Sequence, residues 1–428
     1  MSMLIKQGLV VDPAQGINAI KDILIDKGNV VDIADCISAN IEQVINASGL
    51  VVIPGLVDMH AHLREPGRED KETIETATTA ALAGGITSVL AMANTAPCID
   101  SAQAVGLLQK RIQKSARANV FIAGAITKNR KGHALVDFRG LQNKGVAAFT
   151  DDGSSVDDEK LLSKAFGVAR SIDALIICHC EDTMLSAGGS VNSGIISTRM
   201  GLRGISKESE YKRVERDIGL AESAGAKIHI AHVSCAESVE IIRRAKQRGA
   251  KVTAETCPHY LMLCEEDVTD FDTNKKMNPP LRSKDDREAL KQAIKDGTID
   301  ALASDHAPHT ENEKDIEFER AAFGVIGFET MLAVGITALY STGVIDVDML
   351  VQICSTKPAR ILGINKGTLV KGSDADIVVL DPKHEWVVEK RDIISKSKNS
   401  AFLGKRLKGR VAHTIVNGEL AYSAGGVL

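Results

Sequence analysis

The sequence predicts an α/β fold: a (β/α)8 barrel that carries a small β-sandwich built from both ends of the chain. Between about residues 55 and 310, eight short apolar segments alternate with helical or polar ones, as parallel strands with helical crossovers do. Both ends instead alternate apolar and polar residues with a period of two, which is typical of antiparallel strands. The 428 residues also exceed the roughly 250 of a single barrel, which leaves room for a second unit.

The barrel strands are predicted from these apolar segments, and the helices between them from a period of 3.6 residues. The eight predicted strands are Leu56–His62, Ile86–Ala93, Asn119–Ile126, Val146–Asp151, Ala174–Cys180, Lys227–Val233, Lys251–Glu255 and Asp300–Ser304. The clearest predicted helices are Thr73–Leu82, Ala102–Lys114, Ser238–Arg248 and Lys284–Lys295. Two connections, 181–226 and 256–297, are longer than a crossover requires. We expect them at the rim of an active site rather than as plain surface excursions.

The remaining chain belongs to the smaller unit. Neither end alone has enough strands for a stable two-layer domain, so we predict that residues 1–52 and 365–428 form one composite β-sandwich. Residues 53–364 then form the barrel domain. Helical stretches over 328–340 and 347–362 are expected to close the barrel before the chain returns to the sandwich.

Composition excludes several classes of protein. There are 52 basic and 56 acidic residues, a net charge of −4, and no long basic run, which disfavours nucleic acid as a partner. The amino terminus shows no secretory signal, and the apolar stretches are far shorter than the roughly 20 residues of a membrane helix. The eight cysteines form no Cys-x-x-Cys pair, which is typical of reduced thiols. We therefore expect a cytoplasmic protein without a membrane span.

The strongest local motif is Asp58-Met-His60-Ala-His62, at the end of the first predicted strand. Residues two apart on a strand share a face, so His60 and His62 both point into the barrel mouth, where two imidazoles can share a metal ion. This position, at the carboxyl end of a barrel strand, favours a metal site over an isolated structural pair. Asp58 is expected to orient a histidine or to brace the strand.

The same alternation of side chains along a strand indicates which of the other histidines and aspartates point into the barrel mouth. His179 and His232 come at the ends of the fifth and sixth strands, and Asp305 follows the eighth. His229 has the opposite parity to His232, so we interpret it as a structural histidine under the helices. Four imidazoles and a carboxylate suit zinc. Two ions would need a bridging anion, and the fourth strand ends in Asp151 and Asp152, between which parity cannot choose.

Taken together, these motifs resemble those of the long bacterial dihydroorotases of the amidohydrolase superfamily, over essentially the whole chain. The matching segments are Pro54-Gly-Leu-Val-Asp-Met-His-Ala-His-Leu-Arg-Glu-Pro-Gly67, Met92-Ala-Asn-Thr-Ala-Pro97, Asp151-Asp-Gly153, His179-Cys-Glu-Asp182, Ala231-His-Val-Ser234, Glu255-Thr-Cys-Pro-His-Tyr-Leu261, Met277-Asn-Pro-Pro-Leu-Arg282 and Ser304-Asp-His-Ala-Pro-His309. Many relatives bridge two metals with a carboxylated lysine. This chain has no lysine in its fourth strand, which favours the Asp-bridged class.

The resemblance implies a set of roles for these residues. His60, His62 and Asp305 would hold a first zinc ion and His179 and His232 a second, with Asp152 as the bridge, although a single tightly bound ion is the alternative. Asp305 would act as base and then acid. The substrate-binding residues that it implies are His62, Arg64, Asn94, Asn278, His309, Phe323 and Gly324. His259 is expected near the site or in the core rather than as a ligand.

The implied reaction is the reversible interconversion of carbamoyl aspartate and dihydroorotate in pyrimidine biosynthesis. A planar guanidinium suits a carboxylate, so Arg64 is expected to grip the substrate rather than to form a surface ion pair with Glu65 or Glu69. One alternative is another cyclic amidase, an allantoinase or dihydropyrimidinase. Another is a catalytically silent subunit that binds aspartate transcarbamoylase. We expect a homo-oligomer, with a dimer favoured.

Overall fold

The computed structural model describes residues 2–39, 41, 43–424 and 426–427. It contains an eight-stranded parallel sheet whose strands follow one another in sequence order around a barrel. The strands are Leu56–Ala61, Ile86–Ala91, Asn119–Gly124, Val146–Phe149, Leu175–Cys178, Lys227–Ile230, Val252–Thr256 and Ala301–Leu302. Each lies within or beside a predicted strand, and most end one to three residues earlier at the carboxyl end. The predicted barrel is confirmed.

The barrel closes between its first and last strands through contacts beyond the regular ladder. Ala61 forms a parallel bridge with His306, and the His62 amide donates to the His306 carbonyl at 2.9 Å. Asp58 Oδ1 accepts the amides of His60 at 3.2 Å and Ser304 at 3.1 Å. Asp58 therefore braces the first strand against the last, which is one of the two roles expected for it.

Helices cover the outside of the barrel. The α-helices are Ile74–Ala83, Ala102–Ser115, Phe138–Gln142, Glu159–Ser171, Thr183–Ser186, Ile195–Met200, Glu208–Ala224, Ala236–Gln247, Pro258–Met262, Lys284–Lys295, Glu311–Lys314, Met331–Gly335, Val347–Val351 and Lys357–Leu362. Short 3₁₀ turns span Lys128–Arg130, Glu265–Val268, Thr273–Lys275 and Lys390–Asp392, and π-helical turns span Ile336–Tyr340 and Gln352–Thr356. Capping side chains begin several helices. Thr73 accepts the amide of Thr76, and Ser283 accepts that of Asp286.

Both ends of the chain enter one nine-stranded sheet, as the composite second unit requires. Its strands are Ser2–Asp12, Ile17–Asp26, Asn29–Ala34, Gln43–Asn46, Val51–Pro54, Ile377–Val387, Arg406–Val416, Glu419–Ser423 and Gly426–Val427. The two ends join where Val52 pairs with Val379. Most pairings are antiparallel, but Ser2–Asp12 also pairs in parallel with Gln43–Asn46 and Val51–Pro54, because the chain returns there in the same direction.

This terminal sheet has its own core, distinct from that of the barrel. Ile5, Ile23, Ile377 and Ile415 are fully buried within it. The boundaries at 52 and 365 stay predictions. One segment leaves the sheet altogether: residues 388–405, between two terminal strands, pack on the barrel, where Ser397 Oγ donates to the Lys71 carbonyl at 2.7 Å.

No helix among the described residues is both long enough and apolar enough to cross a membrane.

Candidate active site

Four histidines and two aspartates meet in the mouth of the barrel, and we call them the ligand cluster. They come from the carboxyl ends of the first, fourth, fifth, sixth and eighth strands, where barrel enzymes carry their active sites. All are buried, with no member more than 7% exposed. The members are His60, His62, Asp152, His179, His232 and Asp305.

Asp152 lies at the centre of the ligand cluster. Its Oδ1 lies 3.2 Å from His60 Nε2 and 3.6 Å from both His179 Nδ1 and His232 Nε2. Its Oδ2 lies 3.5 Å from His62 Nε2. One carboxylate therefore reaches both pairs of histidines, which is the position a bridging ligand needs.

Asp151 is turned away from these histidines. Its Oδ1 accepts the amides of Ile126 at 2.8 Å and Thr127 at 3.1 Å, and its Oδ2 accepts the Thr127 hydroxyl. The strand ends at Phe149, and Gly153 turns with a φ of 73°, so the two aspartates point in different directions. Asp152, not Asp151, is the residue that joins the ligand cluster.

Asp305 completes the half of the ligand cluster beside the first strand. Its Oδ1 lies 3.2 Å from His62 Nε2 and 3.6 Å from His60 Nε2. Ligand atoms of His60, His62 and Asp305 all lie within 4.8 Å of one another, as do those of His60, Asp152 and His232. The described residues thus bring three overlapping sets of potential metal ligands together, the third being Cys257, His259 and Asp305.

The electrostatics of the ligand cluster favour a cation. Burial opposes protonation of His60, but the carboxylates of Asp152 and Glu255 raise its pKa well above the ordinary value. Burial would raise the pKa of Asp152, yet the surrounding histidines hold it well below its usual range. His60 Nε2 is buried, and although Asp152 Oδ1 lies 3.2 Å away, the two atoms do not have the geometry of a hydrogen bond. Nitrogen and oxygen donors in this arrangement fit a divalent ion such as zinc.

His232 reaches the ligand cluster because its strand ends early. The strand Lys227–Ile230 stops two residues before it, and His232 has a φ of 36°, in the left-handed region. Ile228 and Ile230 pack outward with the helices, whereas Ala231 packs inside the barrel. The structure places His232 in the ligand cluster, but strict alternation along the strand does not explain that position.

His229 corrects the sequence interpretation. It was expected under the helices, but it alternates with the outward-facing Ile228 and Ile230 and so lies inside the barrel. There His229 Nε2 lies 3.2 Å from Glu255 Oε2, and its Nδ1 lies 2.8 Å from Thr253 Oγ1. The expectation failed because His232, from which parity was counted, lies beyond the regular strand.

Glu255 is a site residue that the sequence reasoning did not single out. This fully buried carboxylate lies 2.7 Å from His60 Nδ1 and, through its other oxygen, 3.2 Å from His229 Nε2. Burial alone would raise its pKa, but the two histidines lower it to about 2. Glu255 thus fixes the ring of His60 with Nε2 facing the ligand cluster. The sequence signal that could have identified Glu255 is its position near the end of the seventh strand, close to where the other strands carry the ligand cluster.

Glu181 makes the equivalent contact on the other side of the ligand cluster. Its Oε2 lies 3.0 Å from His179 Nε2 and accepts Asn278 Nδ2 at 3.0 Å. His179 therefore presents Nδ1 to Asp152. Burial opposes ionisation of Glu181, but contact with His179 lowers its pKa to about 2. Both long connections predicted at the rim contribute here, one through Glu181 and the other through Asn278.

A cavity of about 290 Å³ opens above the ligand cluster. Its wall includes every residue that the sequence analysis expected to contact substrate, namely His62, Arg64, Asn94, Asn278, His309, Phe323 and Gly324. Asn94 Oδ1 lies 3.0 Å from His62 Nδ1, so Asn94 also fixes the ring of a ligand histidine. The structure brings together the residues expected at the metals and those expected at the substrate.

Arg64 faces this cavity rather than the surface. Its Nε donates to the Pro308 carbonyl at 3.1 Å, and its Nη2 lies 3.3 Å from His309 Nε2. Burial lowers the pKa of Arg64 to about 10, which leaves it charged at neutral pH. Glu65 pairs with Arg111 at 2.6 Å instead, so the surface ion pair considered for Arg64 is not formed among the described residues.

His309 is held as a neutral ring beside Arg64. Burial and the nearby charges of Arg64 and Lys71 lower its pKa to about 3. Its Nδ1 lies 3.0 Å from Lys71 Nζ, which can only donate, and 3.3 Å from Glu313 Oε2, and its Nε2 lies 3.3 Å from Arg64 Nη2. His259 is also buried and neutral, because burial lowers its pKa to about 4, and it packs against Tyr260 at a ring distance of 4.2 Å.

Comparison with known proteins extends this description. A family profile described as dihydro-orotase-like matches residues 49–238. The dihydroorotase of Elusimicrobium minutum (strain Pei191) is 50% identical over 425 residues, covering 99% of this chain and 98% of that protein. The dihydroorotase of Geobacter sp. (strain M21) is 47% identical over 426 residues, covering 99% and 100%.

Solved structures of enzymes named for a different activity have the same fold. The L-hydantoinase (dihydropyrimidinase) from Arthrobacter aurescens superposes with a TM-score of 0.90 at 25% identity, covering 100% of this chain and 97% of that chain. The dihydropyrimidinase from Brevibacillus agri NCHU1002 gives a TM-score of 0.88 at 25% identity, covering 100% and 96%. The fold is therefore shared among cyclic amidohydrolases, while overall sequence similarity is much greater to the dihydroorotases.

Proposed function

Because this chain belongs to the dihydroorotase family, we propose that it interconverts N-carbamoyl-L-aspartate and L-dihydroorotate, with loss or gain of water, in de novo pyrimidine biosynthesis. One observation carries the proposal. A cluster of four histidines and two aspartates lies at the base of a cavity whose wall presents a half-buried arginine, Arg64. Such a site combines a place for metal-assisted amide hydrolysis with a group that recognises a carboxylate.

The metal proposal is two zinc ions per chain. His60, His62 and Asp305 would hold one, His179 and His232 the other, and Asp152 would bridge them, with a single tightly bound ion as the alternative. Bound zinc lowers the pKa of water towards ~7 and polarises a carbonyl oxygen. The donor atoms support this choice because they are nitrogen and carboxylate oxygen, with neither sulfur nor a ring of carbonyls.

Asp305 is the proposed proton carrier. It lies in the ligand cluster 3.2 Å from His62, and the neighbouring histidines, opposing burial, keep its pKa below the ordinary value. A carboxylate in this state can take a proton from the attacking water and then deliver it to the ring nitrogen that leaves. In the synthetic direction the same group acts in the reverse order.

Arg64, Asn94, Asn278 and His309 are proposed to bind the substrate, together with backbone groups of Phe323 and Gly324. The guanidinium of Arg64 suits the substrate carboxylate because two parallel N–H groups can meet two oxygens. Neutral His309 fixes the guanidinium without competing for the anion. Fixed polar groups of this kind hold a small ring in one orientation over the ligand cluster.

A substrate comparison tests the proposal. The purified enzyme, loaded with zinc, is assayed with dihydroorotate, allantoin and dihydrouracil in the hydrolytic direction. We expect turnover of dihydroorotate and little of the other two, because only dihydroorotate carries the carboxylate that Arg64 would bind. Rapid hydrolysis of allantoin or dihydrouracil with none of dihydroorotate would establish the cyclic amidase alternative instead. No turnover of any of the three would favour the silent subunit.

Three expectations concern the protein beyond its site: a cytoplasmic location, a homodimer, and association with aspartate transcarbamoylase. We retain them as proposals. Light scattering of the purified chain, alone and mixed with that enzyme, tests the last two. A monomer in both samples would contradict them.

A further inference from the structure

Asn399 belongs to the segment 388–405 that interrupts the terminal sheet, yet its side chain reaches the loop behind the cavity wall. It is 3% exposed. Its Oδ1 accepts the His309 amide at 3.1 Å, and its Nδ2 donates to the carbonyls of Ala307 and Gly324, each at 3.1 Å. Both polar atoms of this side chain therefore form hydrogen bonds to the loop that follows the last barrel strand.

That loop has two limbs, which pair directly where the Ala307 amide donates to the Val325 carbonyl at 2.8 Å, and Asn399 bonds to both of them. The first limb is residues 307–309, which ends at His309, and the second is residues 323–326, which begins at Phe323. The Asn399 side chain bonds to both limbs, and its backbone carbonyl accepts the Ile326 amide at 3.1 Å. The segment 388–405 thus contacts both limbs of the substrate-binding wall and adds to their direct pairing.

The two limbs lie unusually close together. Gly324 has a φ of 129°, and a Cβ placed there would lie 2.8 Å from Ala307 Cβ and 3.1 Å from His309 Nε2. Only glycine fits such an approach. The relative position of the limbs is therefore sharply defined, and small movements would change the wall on which the substrate rests.

We propose that Asn399 is a positioning residue for the substrate, which sets His309 on one limb against the Phe323-Gly324 backbone on the other. The inference rests on the proposed function, in which both limbs bind dihydroorotate. Asn399 does not line the ligand cluster and touches no metal ligand among the described residues, so it acts on substrate binding rather than on proton transfer. Losing it should mainly raise KM.

The alternative is that Asn399 only anchors its segment to the barrel. Two variants separate these roles. Asn399→Ala removes all three side-chain hydrogen bonds, and Asn399→Asp keeps an acceptor for the His309 amide but loses both donors. Thr414→Ala is the matched control, because Thr414 is also a buried residue of the terminal unit whose hydroxyl donates to a barrel carbonyl, that of Leu82, at 2.7 Å.

The test measures kcat and KM for dihydroorotate, zinc content and the melting temperature of each variant. Because both variants lose hydrogen bonds that position two parts of the substrate-binding wall, we expect KM to rise about tenfold in both Asn399 variants. We expect kcat to change less than about threefold, with unchanged zinc content. Thr414→Ala should lower the melting temperature and leave KM alone.

A double variant tests whether Asn399 and His309 act together. If Asn399 acts through His309, then Asn399→Ala should raise KM less in a His309→Ala background than in the wild type. Folded Asn399 variants with wild-type KM would overturn the inference and leave the proposed function standing. If the wild-type enzyme does not turn over dihydroorotate, the proposed function fails, and KM is then compared on the cyclic amide that it does hydrolyse.

Discussion

Replacing Glu255 with glutamine tests whether a buried carboxylate inside the barrel orients the ligand cluster for metal binding. Glu255 is fully buried and shares its two oxygens between His60 Nδ1 and His229 Nε2. Glutamine keeps the shape but removes the charge, and its single amide oxygen can serve only one of the two rings. His60 then loses the partner that fixes its orientation and increases its basicity as a ligand.

The magnitude follows from the contact that is lost. The 2.7 Å approach between Glu255 and His60 is that of a charge-assisted hydrogen bond. Hydrogen bonds to charged groups contribute about 1.5–3 kcal/mol, and about 1.4 kcal/mol is a factor of ten. We therefore expect Glu255→Gln to weaken zinc binding roughly 10- to 100-fold, the range usual for loss of a carboxylate behind a metal-bound histidine.

The assay is competition for zinc between the protein and a chelator of known affinity, followed by elemental analysis and by dihydroorotate hydrolysis. Asp286→Asn is the control, because Asp286 is a buried carboxylate that accepts from Lys207 at 2.8 Å and has no contact with the ligand histidines among the described residues. Zinc affinity of Glu255→Gln equal to that of the wild type, in a folded protein, would refute the reasoning. Equal weakening in both variants would show a general effect of lost buried charge.

Three further predictions concern catalysis, substrate binding and pH. Asp305→Asn should lower kcat by about 100- to 10,000-fold while the melting temperature changes little, because it removes a proton carrier and keeps its shape; near-normal kcat would contradict that role. Arg64→Lys keeps the charge but loses the planar fork, so KM for dihydroorotate should rise about tenfold or more with a smaller change in kcat, and an unchanged KM would place the carboxylate elsewhere. Because the pKa of His309 falls from 6.5 to about 3 on folding, the unfolded chain binds more protons between these values. Its contribution is therefore complete above pH 6.5 and is lost as the pH falls towards 3, by at most about 1.4 kcal/mol per pH unit. Chemical denaturation across this range should show a flatter pH slope for His309→Gln, and an identical slope would contradict the lowered pKa.

The barrel could be predicted from the sequence because each of its strands and helices is specified by a short continuous segment of the chain. Each strand is a short apolar segment between turn residues, and the helices carry caps such as Thr73 and Ser283. The pair His60 and His62 also follows from local alternation, since both lie two residues apart near the end of one strand. The terminal strands were predicted from the period-two alternation at both ends, and the structure takes five of the nine from the amino end and four from the carboxyl end.

Contacts between distant parts of the chain were harder to predict from the sequence. His229 was placed on the wrong side because the chain leaves the strand before His232, where a positive φ breaks the alternation. Glu255 lies 195 residues from His60, and Asn399 lies 90 residues from His309. Such pairings depend on how strands and segments assemble in three dimensions, and a pattern of residues along one strand does not contain them.

On the proposed function, zinc held by the ligand cluster enables the hydrolysis of dihydroorotate. The most direct measurement is to strip the purified protein with a chelator, titrate it with zinc, and follow both bound metal and dihydroorotate turnover at each step. We predict no turnover without metal and activity that rises until about two ions are bound per chain. Full turnover by the stripped protein, or stoichiometric zinc binding that never produces turnover, would contradict the account.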